Sequence, residues 1–250
     1  MNYYNPFSLD NKTILVTGAS SGIGRAIATE CSRMGATLII SGRNTERLSE
    51  TFARLNQTKS NIFIEGDLTS EEFIVEMTAT LPSVDGIVFC AGVSDTTLIK
   101  FATREKFLRV LDIDLLSQVS LIRNLLKKKI INSCASLVFI SSLGAYKVAS
   151  GLGLYSAAKS GLISIMKTLA IELAPRRIRS NAILPSMVKT ELLTTLGSIS
   201  ADDWGKDEAR YPLGYGEPND VAFSAIYLLS DATKWMTGSE IIIDGGVSLV

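Results

Sequence analysis

Short runs of β-branched and aliphatic residues alternate along this chain with longer amphipathic runs, and that alternation limits what it can fold into more than any other feature. TILVT (Thr13 to Thr17) is followed by GRAIATECSRMG (Gly24 to Gly35), which reads as a helix stopped by glycine. TLIIS (Thr37 to Ser41) precedes a second helical run, TERLSETFARLN (Thr45 to Asn56). The other strand candidates are Ile62 to Glu65, Gly86 to Cys90, Ser136 to Ser141, Ser180 to Leu184 and Glu240 to Asp244. Helical patterns lie between them, as in Ala158, Leu162, Ile165, Leu169 and Leu173, spaced three and four apart. The strands run apolar without polar alternation, so both of their faces must be covered. Helices inserted between them supply that cover and impose parallel order. The expected fold is α/β: a doubly wound parallel sheet with helices on both faces. No repeat, low-complexity stretch or linker breaks residues 1–250, so they read as a single domain.

One connection departs from the pattern. From Ser186 to Pro218 the chain is polar and punctuated by glycine, with Leu192, Leu193, Leu196, Trp204 and Tyr211 interspersed. A connection of this length is expected to be a lid or binding loop, or else a packed helical insertion. It follows a strand's carboxyl end, where open α/β sheets hold ligands, so 186–218 is the expected substrate loop.

Composition removes several classes of function. Lys plus Arg and Asp plus Glu number 25 each, so no global field draws the chain to nucleic acid or acidic lipid. The basic clusters Lys127 to Lys129 and Arg176, Arg177, Arg179 follow apolar-periodic segments and read as solvated helix ends. Histidine is absent, which excludes Ser-His-Asp and Cys-His catalysis and histidine metal sites. Cys31, Cys90 and Cys134 are scattered, so neither a zinc site nor a disulfide framework is expected, and a reducing compartment is. The start MNYYNPFSLDNK does not resemble a signal peptide, and no apolar run approaches a membrane span. The expectation is a cytoplasmic protein with no membrane partner and no metal.

Three motifs carry chemistry. TGASSGIG (Thr17 to Gly24) joins the first strand to a helix. Gly18 allows a tight turn, Gly22 lets backbone approach a pyrophosphate, and Gly24 permits close helix packing, while helix N–H groups face the phosphates. In this strand–turn–helix context the loop Gly18, Ser20, Ser21, Gly22, Ile23, Gly24 is expected to bind a dinucleotide. The second strand ends in SGRN, with Gly42, Arg43 and Asn44 where an acidic residue holding ribose hydroxyls is usual. Arg43 could clamp a 2′-phosphate, which favours NADP(H); it could also be merely exposed, or paired with Glu46. LYSAAKS (Leu154 to Ser160) puts Tyr155 and Lys159 one helical turn apart. A free tyrosine, with a pKa of about 10, is a poor acid unless a neighbouring ammonium favours its phenolate. On its own the pair reads first as a surface contact without a role, because pairs one turn apart are commonplace on helix surfaces.

TGASSGIG, YSAAK and the ending TGSEIIIDGG, in this order, resemble the short-chain dehydrogenase/reductase family over nearly the whole chain, from about Leu9 onward. The resemblance implies a Rossmann-type sheet and assigns roles. Tyr155 would be the general acid, and Lys159 would lower the tyrosine's pKa and bind the nicotinamide ribose. Ser142, thirteen residues before the tyrosine, would hold the substrate oxygen, with Ser141 beside it having no role. Asp67 and Leu68 would contact adenine. Pro185, Val188 and Thr190 would face the nicotinamide.

Two departures from the family accompany the resemblance. Phe89, Cys90, Ala91, Gly92 stand where Asn-Asn-Ala-Gly is usual. Cys90, Ala91 and Gly92 still admit the cofactor, but the bracing asparagines are missing, so the strand end is expected to pack differently. In VLDIDLLS, Asp114 stands where the family has a catalytic asparagine that positions a water beside the lysine. Ionised, Asp114 would partly neutralise the field on Tyr155.

The implied function is NADPH-dependent reduction of a ketone, with a 3-oxoacyl thioester on acyl carrier protein as the first substrate expectation. A sugar or secondary-alcohol dehydrogenase is the alternative within the family. A non-catalytic NADP(H)-binding sensor is the alternative outside it. Arg104, Lys106 and Arg109 could meet an acidic carrier protein or be a solvated helix face. The family expectation for assembly is a homotetramer.

Overall fold

A computed structural model of the chain describes residues 4–191 and 201–250, and of residues 201–204 the backbone only. Leu192, Leu193, Leu196 and the Trp204 side chain, named above, lie outside this description.

Among the described residues, seven strands form one sheet: β1 (Thr13–Thr17), β2 (Thr37–Gly42), β3 (Ile62–Glu65), β4 (Val84–Phe89), β5 (Ile131–Ile140), β6 (Arg179–Pro185) and β7 (Glu240–Ile243). Their order is β3-β2-β1-β4-β5-β6-β7, and every pairing is parallel. This is the doubly wound, Rossmann-type sheet expected. The helices are α1 (Gly22–Arg33), α2 (Thr45–Ala53), α3 (Glu71–Thr80), α4 (Arg104–Leu111), α5 (Ser117–Lys127), α6 (Gly153–Glu172), α7 (Ala201–Glu208) and α8 (Pro218–Leu229).

Alternate residues of each central strand enter different cores, which explains why the strands lack polar alternation. Leu15, Leu137 and Phe139 face one way and pack with α3, α5 and α6 through Ile74, Leu121 and Leu162. Ile14, Val16, Val138 and Ile140 face the other way and pack with α1, α2 and α8 through Ile27, Leu48 and Val221. Phe89 and Phe139 stack across β4 and β5, with ring centroids 4.4 Å apart.

The element boundaries differ from expectation in places. α1 begins at Gly22 rather than Gly24 and stops at Arg33, after which Gly35 turns the chain at φ 96°. β5 begins five residues earlier than Ser136, because the register slips between Val84 and Gly86 and lets Ile131 pair with Val84. The long connection after β6 is partly helical, since it contains α7. It also closes on itself: Val188 bridges Gly216, with Lys189 N donating to Gly216 O at 2.8 Å and Gly216 N to Met187 O at 3.0 Å.

The sheet order reverses at β1, which has β2 on one side and β4 on the other. A crevice opens past the carboxyl ends of strands at such a reversal.

Candidate active site

That crevice is a cleft of about 870 Å³, within the usual range for a small-molecule site. The carboxyl ends of β2 and β3 close one end, those of β5 and β6 the other, and the ends of β1 and β4 form its floor. Gly18, Ser20, Ser21, Gly22, Ile23 and Gly24 line it as α1 begins. Gly18 has φ 66°, and a Cβ there would lie 2.8 Å from the Ala91 backbone, so only glycine lets the β1 and β4 ends meet this closely. The Ser20 hydroxyl occupies the space a Cβ on Gly42 would need. The loop is also held from behind by groups the sequence reading missed. Arg25 Nη2 donates to Ser20 O at 2.5 Å, and Thr51 Oγ1 donates to Ala19 O at 2.9 Å.

At the β2 end lie Gly42, Arg43, Asn44, Asp67 and Leu68, joined by Arg47, which the sequence reading did not name. Asn44 caps α2 by accepting from Arg47 N at 2.8 Å. Arg43 is neither unpaired nor joined to Glu46: its Nη1 stands 3.8 Å from Asp67 Oδ2. Burial opposes charge on Asp67, but the Thr69 hydrogen bonds and the Arg43 guanidinium outweigh it and hold the carboxyl below its ordinary range.

Cys90, Ala91 and Gly92 line the floor. The brace that the missing asparagines would supply comes from Thr17. Its buried hydroxyl accepts from Cys90 N at 3.1 Å and Ala91 N at 3.2 Å. Gln118 Nε2 adds a bond to Ala91 O at 3.0 Å. Burial, despite the pull of Lys159, pushes the Cys90 thiol up to about 12, so it is an inert packing group.

At the far end, the turn that follows β5 presents Ser142 and α6 presents Tyr155 and Lys159 on one face. The Ser142 hydroxyl accepts from Gly144 N at 3.0 Å, which leaves its own proton free to point into the cleft. Ser141, expected to have no role, donates to the Lys159 backbone O at 3.0 Å and fastens that turn of α6 to β5. Pro185, Val188 and Thr190 form the wall past β6, with Thr190 lying across Gly22.

Lys159 Nζ sits 5.6 Å from the Tyr155 ring centroid, 3.3 Å from Ile140 O and 3.3 Å from Asp114 Oδ1. Asp114 lies beneath the cleft rather than on its wall, fully buried. It is carried by a π-helical turn, Asp112–Leu116, between α4 and α5, a distortion common at functional sites. Its Oδ1 also accepts from Val93 N at 3.0 Å, and its Oδ2 is buried with no hydrogen-bond partner. Burial raises the Asp114 carboxyl above its ordinary range against the pull of Lys159. Burial alone would lower Lys159, but Asp114 and Tyr155 outweigh it and keep the ammonium above its ordinary range. Arg104, Lys106 and Arg109 are exposed on α4 and do not reach the cleft. Among the described residues no cluster of His, Cys, Asp and Glu could hold a metal ion.

A family model described as Enoyl-(Acyl carrier protein) reductase matches residues 18–248. The chain is 35% identical to a 3-oxoacyl-acyl-carrier-protein reductase of Rickettsia felis, over 97% of this chain and 99% of that one. It is 32% identical to an L-rhamnose 1-dehydrogenase (NAD(P)(+)) of Azotobacter vinelandii, over 96% and 97%. Its fold superposes with a TM-score of 0.90 on a solved short-chain dehydrogenase/reductase, a glucose/ribitol dehydrogenase from Brucella melitensis, at 27% identity and covering 97% of this chain and 99% of that one.

Proposed function

The chain belongs to the short-chain dehydrogenase/reductase family of oxidoreductases, and from that premise we propose that it reduces a ketone to a secondary alcohol with NADPH, a 3-oxoacyl thioester being the first substrate to try. The observation that carries the reading is the meeting of Ser142, Tyr155 and Lys159 at one end of a cleft whose other walls are the glycine loop and the β2 end. The cleft volume and the close approach at Gly18 fit a dinucleotide along the floor. When bound, the nicotinamide supplies the hydride. Arg43 and Arg47, with Gly42 rather than an acid ending β2, support a 2′-phosphate and hence NADP(H) over NAD(H), Asp67 being the carboxylate that faces Arg43 there.

The protein's own groups do the rest. Ser142 donates a hydrogen bond to the carbonyl oxygen as charge develops there. Tyr155 gives its phenolic proton to that oxygen. The Lys159 ammonium stands 5.6 Å from the Tyr155 ring centroid and would bond the nicotinamide ribose. Asp114 holds the ammonium in place and draws part of its field onto itself.

The test follows nicotinamide absorbance with NADPH or NADH and an acetoacetyl thioester. Oxidation of NADPH but not NADH is expected. Tyr155→Phe should lose most turnover while keeping cofactor affinity; unchanged behaviour would instead point to a binding-only sensor. The 32% identity to an L-rhamnose dehydrogenase supports a second reading, oxidation of a sugar, and silence with the thioester would favour it. Two parts of the connection 186–218 support its part as the substrate wall, since Ser186 and Tyr211 both line the cleft. For the assembly, exposed Leu108, Leu116, Phe223 and Tyr227 on α4, the π turn and α8 support a homotetramer. Light scattering would measure it. Three free cysteines, and the lack among the described residues of a helix able to cross a membrane, support work in the cytoplasm.

A further inference from the structure

Beyond Ser142 the cleft wall carries three charged side chains, Lys147, Asp207 and Arg210, none of which the reading above uses. Two are cations and one is an anion, so this end is left with an excess positive charge. Both cations are held in place rather than loose. Lys147 Nζ donates to Val247 O at 2.6 Å, and Val247 itself lines the cleft. Among the described residues no carboxylate lies within ion-pair distance of Lys147. Its charge acts on Asp244, whose two oxygens already accept from Gly246 N and Ser248 N at 3.0 Å each.

Arg210 is oriented through a chain of contacts. Its Nη1 donates to Asp207 Oδ1 at 3.0 Å, and Asp207 Oδ2 accepts from Tyr215 OH at 2.7 Å. The Tyr215 ring stands edge-on to Tyr211, with centroids 5.0 Å apart, and Tyr211 OH shares a hydrogen bond with Ser186 Oγ at 3.0 Å. The contacts therefore run from β6's carboxyl end to the guanidinium. Asp207 has both oxygens engaged, which leaves Arg210 its remaining donors and Lys147 two of its three. A neutral ketone needs no cation at this place. We propose that Lys147 and Arg210 recognise an anionic group, a carboxylate or a phosphate, carried by the substrate away from its reacting carbonyl. This rests on the ketone-reductase reading and narrows its substrate class.

Two matched pairs test the proposal with NADPH and the full chain. Acetoacetate and ethyl acetoacetate differ by a carboxylate near the ketone. Acetoacetyl-phosphopantetheine and acetoacetyl-pantetheine differ by a phosphate at the far end. In one pair the anionic member should show a kcat/KM at least about tenfold higher, arising in KM. Lys147→Gln and Arg210→Gln should collapse that ratio, and Lys147→Arg should keep it. The responding pair identifies the anion. Equal kcat/KM within both pairs, or a ratio that survives both glutamine variants, overturns the proposal. Failure of all four ketones to oxidise NADPH overturns the reductase reading instead. Calorimetric titration into the NADP⁺-loaded chain then decides the inference alone. Tighter binding of an anionic member that Lys147→Gln abolishes upholds it, and equal binding within both pairs overturns it.

Discussion

Asp114 is the residue whose identity matters most to the chemistry. A carboxylate with no exposure pairs directly with the Lys159 ammonium at 3.3 Å, where an asparagine would carry no charge. Removing the charge but keeping the shape should release the lysine's field toward Tyr155. Asp114→Asn is therefore expected to hold or raise kcat. A loss beyond tenfold, about 1.4 kcal/mol in barrier, would show that the carboxylate itself is needed. At the other end of the cleft, Arg43→Ala should cost NADPH roughly tenfold or more in kcat/KM, the scale of one lost charge-assisted contact. NADH should change little, and initial rates with both cofactors measure it. These residues were legible because their types are unusual where they stand: a tyrosine one turn before a lysine, an arginine where an acid is common. Thr17, Ser141 and Arg47 were not. A threonine ending a strand and a serine beside another serine look ordinary until a partner distant in the chain is known. Thr17 meets Cys90 and Ala91 more than seventy residues away, at 73 and 74 in sequence.

Among the elements, the ends of β1 and β4 are coupled by that one hydroxyl. Thr17→Val keeps the shape but leaves the Cys90 and Ala91 N–H groups without an acceptor. The expected cost is about 1–3 kcal/mol, the penalty for stranding buried polar groups, seen as a lower denaturation midpoint with an unchanged slope. A weaker hold on the cofactor should accompany it, because Ala91 forms the cleft floor. Normal stability and cofactor affinity would show that the β4 end is held by the sheet alone. The strands themselves could be read from sequence, since burial on both faces leaves an unbroken apolar run. The π turn at Asp112–Leu116 could not, because one extra residue in a helical turn leaves the apolar pattern nearly intact. The early start of β5 was hidden for a similar reason. Asn132 and Cys134 are not strand formers by type, and only the register slip against β4 admits them.

For the molecule as a whole, the absence of histidine leaves carboxylates to set the acid limit of stability. Asp67, Asp231, Glu240 and Asp244 are all held below their ordinary range. Groups with lowered folded pKa values contribute stability that is present above the unfolded values and is lost as pH falls through the folded ones. Thermal melts should therefore weaken as pH drops below about 4, the ordinary carboxylate range. A loss already complete at pH 5 would rule out these four as its cause. The doubly wound order was expected from the alternation of elements, but the closure of the long connection was not, since nothing in its composition pairs Val188 with Gly216. The excursion leaves and re-enters the fold at neighbouring points, so its length is nearly decoupled from the rest: doubling such a loop costs only about 0.6 kcal/mol in closure entropy. It is a cassette in a fixed socket. Exchanging or lengthening it should leave the sheet and the cleft floor folded as they are.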